Sequence, residues 1–308
     1  MKYRNILMGL TGVMLAIGDS HELGANSHTN NKKVIVIGVD GMSPSGIRNA
    51  PTPVLDSMMA GGAYTMNARG VLPTSSSPNW KSMVSGSATE QHGVTSNKWQ
   101  RDKFVLPPAT TGIEEIYPTI FGLAREQRPD LKIGAIYDWK GFGRLIERSA
   151  LDYDGYQATG KEELDEDETI QLAVAYIKEE QPDLLFVHLD HVDHAGHQDG
   201  HGSPHYYEAV TKADRLIGEI LEATKDADVF DETVFIVSAD HGGVGTGHGG
   251  ESLDEIEIPF LLFGSGVKKN YRITTQVMIY DNAATVAFIL GLTQPYSWIG
   301  RPVKSAFE

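Results

Sequence analysis

Three apolar runs in this chain end at aspartate, and this pattern constrains the fold more than any other feature. The runs cover residues 34–39, 184–189 and 234–239, and each is followed directly by an aspartate. Short runs rich in valine and isoleucine predict buried strands of a parallel sheet. Ligands of open α/β sheets collect outside the carboxyl ends of the strands. The aspartates therefore predict a functional site at one edge of a sheet.

Apolar runs and amphipathic segments alternate from residue 33 onward, which is typical of an α/β domain. We see no internal repeat and expect one domain. Residues 98–114, which include Pro107-Pro108, predict a long surface excursion near the site. We predict strands near 33–39, 64–72, 132–137, 184–189, 233–238 and 258–264, and helices near 51–61, 78–86, 115–128, 166–180, 204–225 and 281–291.

The formal net charge of -15 argues against polyanionic binding partners. A strongly acidic protein repels DNA, RNA and anionic lipid, so we expect no nucleic acid polymer as a stable partner. Bound metal cations would still allow such a protein to accept a small phosphate ester. The chain has no cysteine, which excludes disulfides, thiolate metal ligands and cysteine nucleophiles.

Residues 1–30 predict a signal peptide followed by a mobile polar segment. Lys2 and Arg4 precede an apolar run at residues 6–17, which is shorter than a membrane span. We therefore expect a secreted or periplasmic protein with no membrane span after signal removal. An uncleaved membrane anchor is the alternative, and the sequence leaves the oligomeric state open.

Two segments carry side chains suited to metal binding. Asp240 and His241 directly follow an apolar run, and the two glycines after them allow the chain to bend. His248 lies in a glycine-rich loop and would be unremarkable alone, but with this pair it predicts a metal ligand. Carboxylate and imidazole together suit Zn²⁺ and similar cations.

The second segment, residues 190–201, holds four histidines and three aspartates. Asp193 and His197 are four residues apart and could face one ion from a single helical turn. Asp190 and His194 have the same spacing, so both pairs stay open. We expect Asp199 and His201 to be exposed.

Ser75, Ser76 and Ser77 precede Pro78, which suits the first turn of a helix. A nucleophile at this position would hold a transferred phosphate near free backbone N–H groups and the positive end of the helix dipole. Simple N-capping by Ser77 is the alternative. The local sequence does not choose among the three serines.

In their order and spacing, these motifs resemble the nucleotide pyrophosphatase/phosphodiesterase family of the alkaline phosphatase superfamily. The resemblance covers most of residues 33–265. The matching motifs are Asp40-Gly41, Thr52-Pro-Val-Leu-Asp56, Ser76-Ser-Pro-Asn79, His92-Gly-Val-Thr-Ser-Asn97, Asp193 with His197, Asp240-His241-Gly242 and His248.

The resemblance implies an alkaline-phosphatase-like three-layer α/β/α sandwich with a central mostly parallel sheet, over residues 31–308. It implies two Zn²⁺ ions, or other divalent cations, and a small-molecule phosphate ester as substrate. Ser76 would be the nucleophile of a phosphodiesterase or nucleotide pyrophosphatase and form a phosphoseryl intermediate, with Asn97 holding a phosphoryl oxygen. One ion would be bound by Asp40, Asp240 and His241 and contact Ser76, and the other by Asp193, His197 and His248.

The substrate pocket departs from that family. Ser77 and His188 stand where nucleotide-hydrolysing members often carry aromatic residues that hold a base. We expect Ser77, His188 and Trp99 to line the pocket, since an aromatic ring such as that of Trp99 can stack on a base. Trp80, Tyr137 and Tyr153, like Trp99, could take the place of the two missing aromatic residues, and each of the four could equally be packed in the core.

Charge balance favours a diester over a monoester. Two divalent cations would be neutralised by three aspartates and a serine alkoxide, so a monoanionic diester suits the site better than a dianion. We expect no cation near Ser76, because Lys81 is predicted on the far side of its helix, although Lys98 stays open. The alternatives are a phosphomonoesterase or sulfatase-like hydrolase of the same superfamily, or a non-catalytic secreted metal-dependent binding protein.

Overall fold

The computed structural model describes residues 32–159, 161 and 164–308. The expected signal peptide at residues 1–30 lies outside the described residues. In the part of the chain that is described, no helix combines the length and the apolar character needed to cross a bilayer.

A single eight-stranded sheet, in the order β4-β3-β5-β1-β6-β7-β2-β8, lies at the centre of the fold. Strand β7 is antiparallel to both of its neighbours, and all other pairs are parallel. The sheet is therefore mostly parallel, as predicted. The strands are β1 Lys33–Val39, β2 Ala63–Arg69, β3 Ile133–Tyr137, β4 Tyr153–Asp154, β5 Leu184–Leu189, β6 Thr233–Ser238, β7 Glu257–Gly264 and β8 Tyr271–Arg272.

Helices pack in two groups. Helices α1, α2, α8 and α9 pack on α10, whereas α4, α5, α6 and α12 pack around α3. The result is the predicted α/β/α sandwich. The helices are α1 Pro44–Asn49, α2 Pro53–Gly61, α3 Ser76–Ser85, α4 Thr89–His92, α5 Ile120–Gln127, α6 Lys140–Gly143, α7 Gly155–Thr159, α8 Glu166–Glu180, α9 His191–Asp199, α10 Pro204–Asp226, α11 Leu253–Ile256 and α12 Asp281–Ile289.

Strand β1 lies in the middle of the sheet between β5 and β6 and is buried from Val34 to Val39. Its apolar run therefore covers both faces. Gly38 allows α3 to approach, because a Cβ at this position would lie 2.5 Å from the Trp80 ring. This close packing brings the start of α3 to the carboxyl end of β1.

All six predicted strands and all six predicted helices are present, with ends shifted by a few residues. The sequence missed the two-residue strands β4 and β8 and several short helices, including α9. Residues 98–112 contain only an isolated bridge between Gln100 and Lys103. The domain boundary at residue 31 stays a prediction.

Candidate active site

The first group of ligand atoms lies where β1 and β6 end side by side. His241 Nε2 is 3.3 Å from Asp40 Oδ1 and 3.2 Å from Asp240 Oδ2. The three side chains are buried, and neither of these two carboxylate oxygens receives a hydrogen bond from the described residues. Buried carboxylate oxygens without donors are costly unless a cation compensates them. The geometry therefore fits a metal ion.

The second group is built on α9. Asp193 Oδ2 lies 3.1 Å from His197 Nε2, one helical turn later, and 3.8 Å from His248 Nε2. The two imidazole Nε2 atoms are 3.2 Å apart. Asp193 Oδ1 is buried, and no residue in the described part of the chain donates a hydrogen bond to it. These three residues could hold a second ion.

Backbone carbonyls orient all three histidines. His241 Nδ1 donates to Gly242 O at 2.7 Å, His197 Nδ1 to Thr246 O at 2.9 Å, and His248 Nδ1 to Thr74 O at 2.8 Å. Because a carbonyl only accepts, Nδ1 carries the proton and the neutral ring presents the Nε2 lone pair. Metal-binding histidines are commonly fixed in this way. The rings of His241 and His248 stack with centroids 3.7 Å apart, so the two groups adjoin.

The pKa shifts of Asp40, Asp240 and His241 show that the first group stabilises a nearby positive charge. Burial raises the pKa of Asp240, and the neighbouring Asp40 carboxylate raises it further. Burial would also raise the pKa of Asp40, but the neighbouring imidazoles of His188 and His241 outweigh it and hold this pKa well below its usual range. Burial would lower the pKa of His241, yet Asp240 and Asp40 raise it to about 10. A divalent cation bound here would compensate the charge of the two carboxylates in place of the proton on His241.

Gly41 contacts residues of both groups of ligand atoms. Its φ is +69°, and a Cβ there would lie 2.9 Å from Asp193. Its N–H donates to Asp240 Oδ1 at 3.2 Å. Only glycine has easy access to this left-handed conformation, so Gly41 lets α9 approach the end of β1.

Of the three serines, Ser76 lies against the first group, with its Oγ 3.4 Å from His241 Nε2. Ser76 is the first residue of α3, and Ser75 occupies the N-cap position. Capping by Ser77 is therefore wrong. Asn97 Oδ1 accepts a hydrogen bond from the Ser77 N–H at 2.7 Å, which places Asn97 beside the nucleophile candidate.

Contrary to our expectation of no cation near Ser76, a positive charge lies beside the next residue, Ser77. Arg144 donates to Ser77 Oγ at 2.9 Å and to the Asn97 carbonyl oxygen at 2.8 Å. Lys81 is buried elsewhere, where its Nζ donates to the carbonyls of Tyr117 and Leu145. Arg144 comes 67 residues after Ser77, and nothing in the local sequence indicates this contact.

The three residues expected to line a substrate pocket are buried. His188 is 0% exposed, with Nδ1 3.0 Å from Asp138 Oδ1 and Nε2 3.6 Å from Asp40 Oδ2. His188 therefore lies on the buried side of Asp40, where a substrate cannot contact it. Ser77 is also 0% exposed, and Trp99 is packed in the core. Trp80, too, is a core residue, and its Nε1 donates to Asp40 Oδ2 at 2.9 Å.

Asp190, His194 and Asp199 are not part of the second group, whereas His201 packs against it. Asp190 and His194 pair with each other at 2.9 Å, and Asp190 also lies close to His188 and Asp40. Asp199 is exposed as expected. The expectation for His201 is wrong, because its side chain is only 3% exposed and packs 3.7 Å from Asp193 Oδ1.

Comparison with known proteins identifies the family. The model of the type I phosphodiesterase/nucleotide pyrophosphatase family matches residues 34–257, well over half of the chain. The chain belongs to this family. It is similar to human ectonucleotide pyrophosphatase/phosphodiesterase family member 7, with 27% identity over 225 residues, which cover 70% of this chain and 49% of the relative. The chain thus spans half or less of the length of the first curated relatives it matches.

Solved structures share the fold. Murine ectonucleotide pyrophosphatase/phosphodiesterase 5 in complex with AMP superposes with a TM-score of 0.73 at 17% identity, over 90% of this chain and 100% of that one. A putative sulfatase from Bacteroides thetaiotaomicron gives 0.71 at 15% identity, over 90% and 74% of the two chains. These matches establish an alkaline-phosphatase-like architecture.

Proposed function

We propose that the protein is a two-metal phosphodiesterase or nucleotide pyrophosphatase with Ser76 as its nucleophile. The observation that carries this proposal is the 3.4 Å separation of Ser76 Oγ from His241 Nε2, within the first group of buried ligand atoms. A binding module would need the metal ligands but not a hydroxyl at the start of a helix beside them. The family supports the same reaction class.

Two Zn²⁺ ions fit the donor atoms, which are carboxylate oxygens and imidazole Nε2 atoms in two sets of three. Asp40, Asp240 and His241 would hold one ion together with Ser76 Oγ. The other ion would be held by Asp193, His197 and His248. Bound zinc supplies Lewis-acid charge that lowers the pKa of a hydroxyl and compensates the charge of phosphoryl oxygens.

The residues around Ser76 then perform the displacement. Ser76 Oγ would release its proton to solvent and attack phosphorus as the bond to the leaving alkoxide breaks, and that alkoxide would take up a proton from solvent. The rest of the diester would stay on Ser76 as a phosphoseryl ester, which water hydrolyses to a phosphate monoester. Because Ser76 is the first residue of α3, the transferred phosphoryl group would lie at the positive end of the helix dipole, which stabilises its negative charge. Asn97 is oriented by the hydrogen bond from the Ser77 N–H to its Oδ1, so its Nδ2 is the donor available for a phosphoryl oxygen.

We further propose that this reaction takes place outside the cytoplasm, because residues 1–30 predict a signal peptide. The substrate would be a small phosphate ester.

The test is Ser76→Ala in zinc-loaded protein, with Ser75→Ala as the matched control. We expect hydrolysis of bis(p-nitrophenyl) phosphate to fall by about 10⁴-fold or more in Ser76→Ala, because the covalent route is lost. The metal content by elemental mass spectrometry should remain at two ions per chain. Near-normal turnover in this variant would overturn the proposal. Full metal content without any turnover in the wild type would favour the non-catalytic binding protein.

A further inference from the structure

The guanidinium of Arg144 lies beside the two residues that flank the proposed chemistry. One of its terminal nitrogens donates both to Ser77 Oγ and to the backbone carbonyl of Asn97. Ser77 follows the nucleophile in the chain, and Asn97 is the proposed phosphoryl ligand. Arg144 is thus connected to the site by two direct hydrogen bonds.

This cation has no carboxylate partner among the described residues. Several other arginines in that part of the chain do form ion pairs, for example Arg101 with Glu114 and Arg148 with Asp154. Arg144 is half-buried, and its Nε is buried without a hydrogen-bond partner in the described ranges. Burial lowers the pKa of its guanidinium, since a desolvated charge without a counter-ion is costly.

The position of Arg144 is fixed by its surroundings. It directly follows the short helix α6, whose Phe142 stacks on Phe186 at 4.8 Å between ring centroids. Its guanidinium lies 5.5 Å from the centre of the Trp139 ring. Two of its five N–H groups are used on Ser77 and Asn97, which leaves three donors without a partner in the described residues. A fixed cation with unused donors is well suited to an anion.

We propose that Arg144 determines substrate specificity by pairing with the second negative charge of a phosphate monoester. This inference rests on the proposed function and extends it. Without Arg144, the two-metal site would be close to neutral and would suit a monoanionic diester. The added positive charge makes the site able to accept a dianion as well. Phosphate monoesters are then substrates alongside diesters.

The reaction with a monoester balances in the same way as with a diester. The Ser76 hydroxyl releases its proton to solvent, the bond from Ser76 Oγ to phosphorus forms as the ester P–O bond breaks, and the leaving alkoxide takes up a proton from solvent. Hydrolysis of the phosphoserine then releases inorganic phosphate and restores the hydroxyl.

The test compares p-nitrophenyl phosphate with bis(p-nitrophenyl) phosphate in the zinc-loaded wild type, Arg144→Ala and Lys140→Ala. Lys140→Ala is the matched control, since it removes one positive charge from the adjacent helix at an exposed position. In Arg144→Ala, kcat/KM for the monoester should fall by about 10- to 100-fold, as expected for losing a charge-assisted hydrogen bond, while that for the diester stays within about threefold. Both rates should stay near wild type in the control.

A second readout is the affinity for inorganic phosphate, measured by calorimetry. It should weaken in Arg144→Ala by a similar factor, remain unchanged in Lys140→Ala and recover in part in Arg144→Lys, which keeps the charge but loses the planar fork. An equal loss for both esters would show that Arg144 only supports Ser77 and Asn97, and no loss for either would remove it from recognition. Both results overturn the inference.

The experiment distinguishes failure of the proposed function from failure of the proposed role of Arg144. If the wild type hydrolyses no ester, the proposed function fails, and phosphate affinity alone decides the role of Arg144. Unchanged phosphate affinity in Arg144→Ala then overturns the inference, whereas weakened affinity supports it.

Discussion

Trp80 supports a metal ligand, and replacing it should weaken one metal site selectively. Its Nε1 donates to Asp40 Oδ2 at 2.9 Å, and both side chains are buried. Trp80→Phe keeps an aromatic ring but removes this donor. Among the described residues, the polar atom left near that oxygen would be the more distant His188 Nε2, at 3.6 Å.

The magnitude follows from the kind of hydrogen bond that is lost. A bond to a charged group contributes about 1.5–3 kcal/mol, and each 1.4 kcal/mol is about tenfold in affinity. We therefore expect zinc affinity at the first group to fall by roughly 10- to 100-fold, the range seen for residues that orient metal ligands. Affinity at the Asp193 group should not change, because Trp80 does not contact it.

Zinc titration against a chromogenic chelator measures both affinities. Trp298→Phe is the matched control, since Trp298 is also buried but donates to the Pro118 carbonyl at 3.3 Å. Both variants should lose some folding stability, and only Trp80→Phe should lose zinc affinity. Equal affinities in the wild type and Trp80→Phe, or an equal loss in both variants, would refute the reasoning.

Two further predictions concern Gly41 and Lys81. Gly41→Ala should reduce zinc stoichiometry below two in native mass spectrometry, since its methyl group would lie 2.9 Å from Asp193; full stoichiometry would contradict this. Burial lowers the pKa of Lys81 to about 7. From pH 7 to about 10 the unfolded chain binds the extra proton, so stability should rise with pH by at most roughly 4 kcal/mol. Urea unfolding should show a smaller rise in Lys81→Met, and an unchanged slope would exclude this effect.

The parts of the fold that the sequence predicted are those set by local pattern. The apolar runs at β1, β5 and β6 need both faces buried, and this requirement alone defines a central parallel sheet. Since such strands end at one edge, the aspartates that follow β1 and β6 had to lie close together. The two-residue strands β4 and β8 were not predicted, because they are too short to show the alternation of apolar and polar residues that indicates a strand.

The neighbours of the ligand residues could not be predicted, because their roles depend on contacts between distant segments. Trp80 reaches Asp40 across 40 residues, and His188 reaches Asp138 across 50. A buried tryptophan or histidine in an apolar segment is indistinguishable from ordinary core in a sequence. Arg144 was missed for the same reason, and with it the positive charge that alters the predicted substrate preference.

The most direct test of the account is anomalous diffraction at the zinc edge from crystals of zinc-loaded protein. We expect two peaks, about 4 Å apart as in other two-metal sites, one bound by Asp40, Asp240 and His241 and the other by Asp193, His197 and His248. Ser76 Oγ should coordinate the first ion. A single peak, or peaks bound by other residues with Ser76 turned away, would contradict the account.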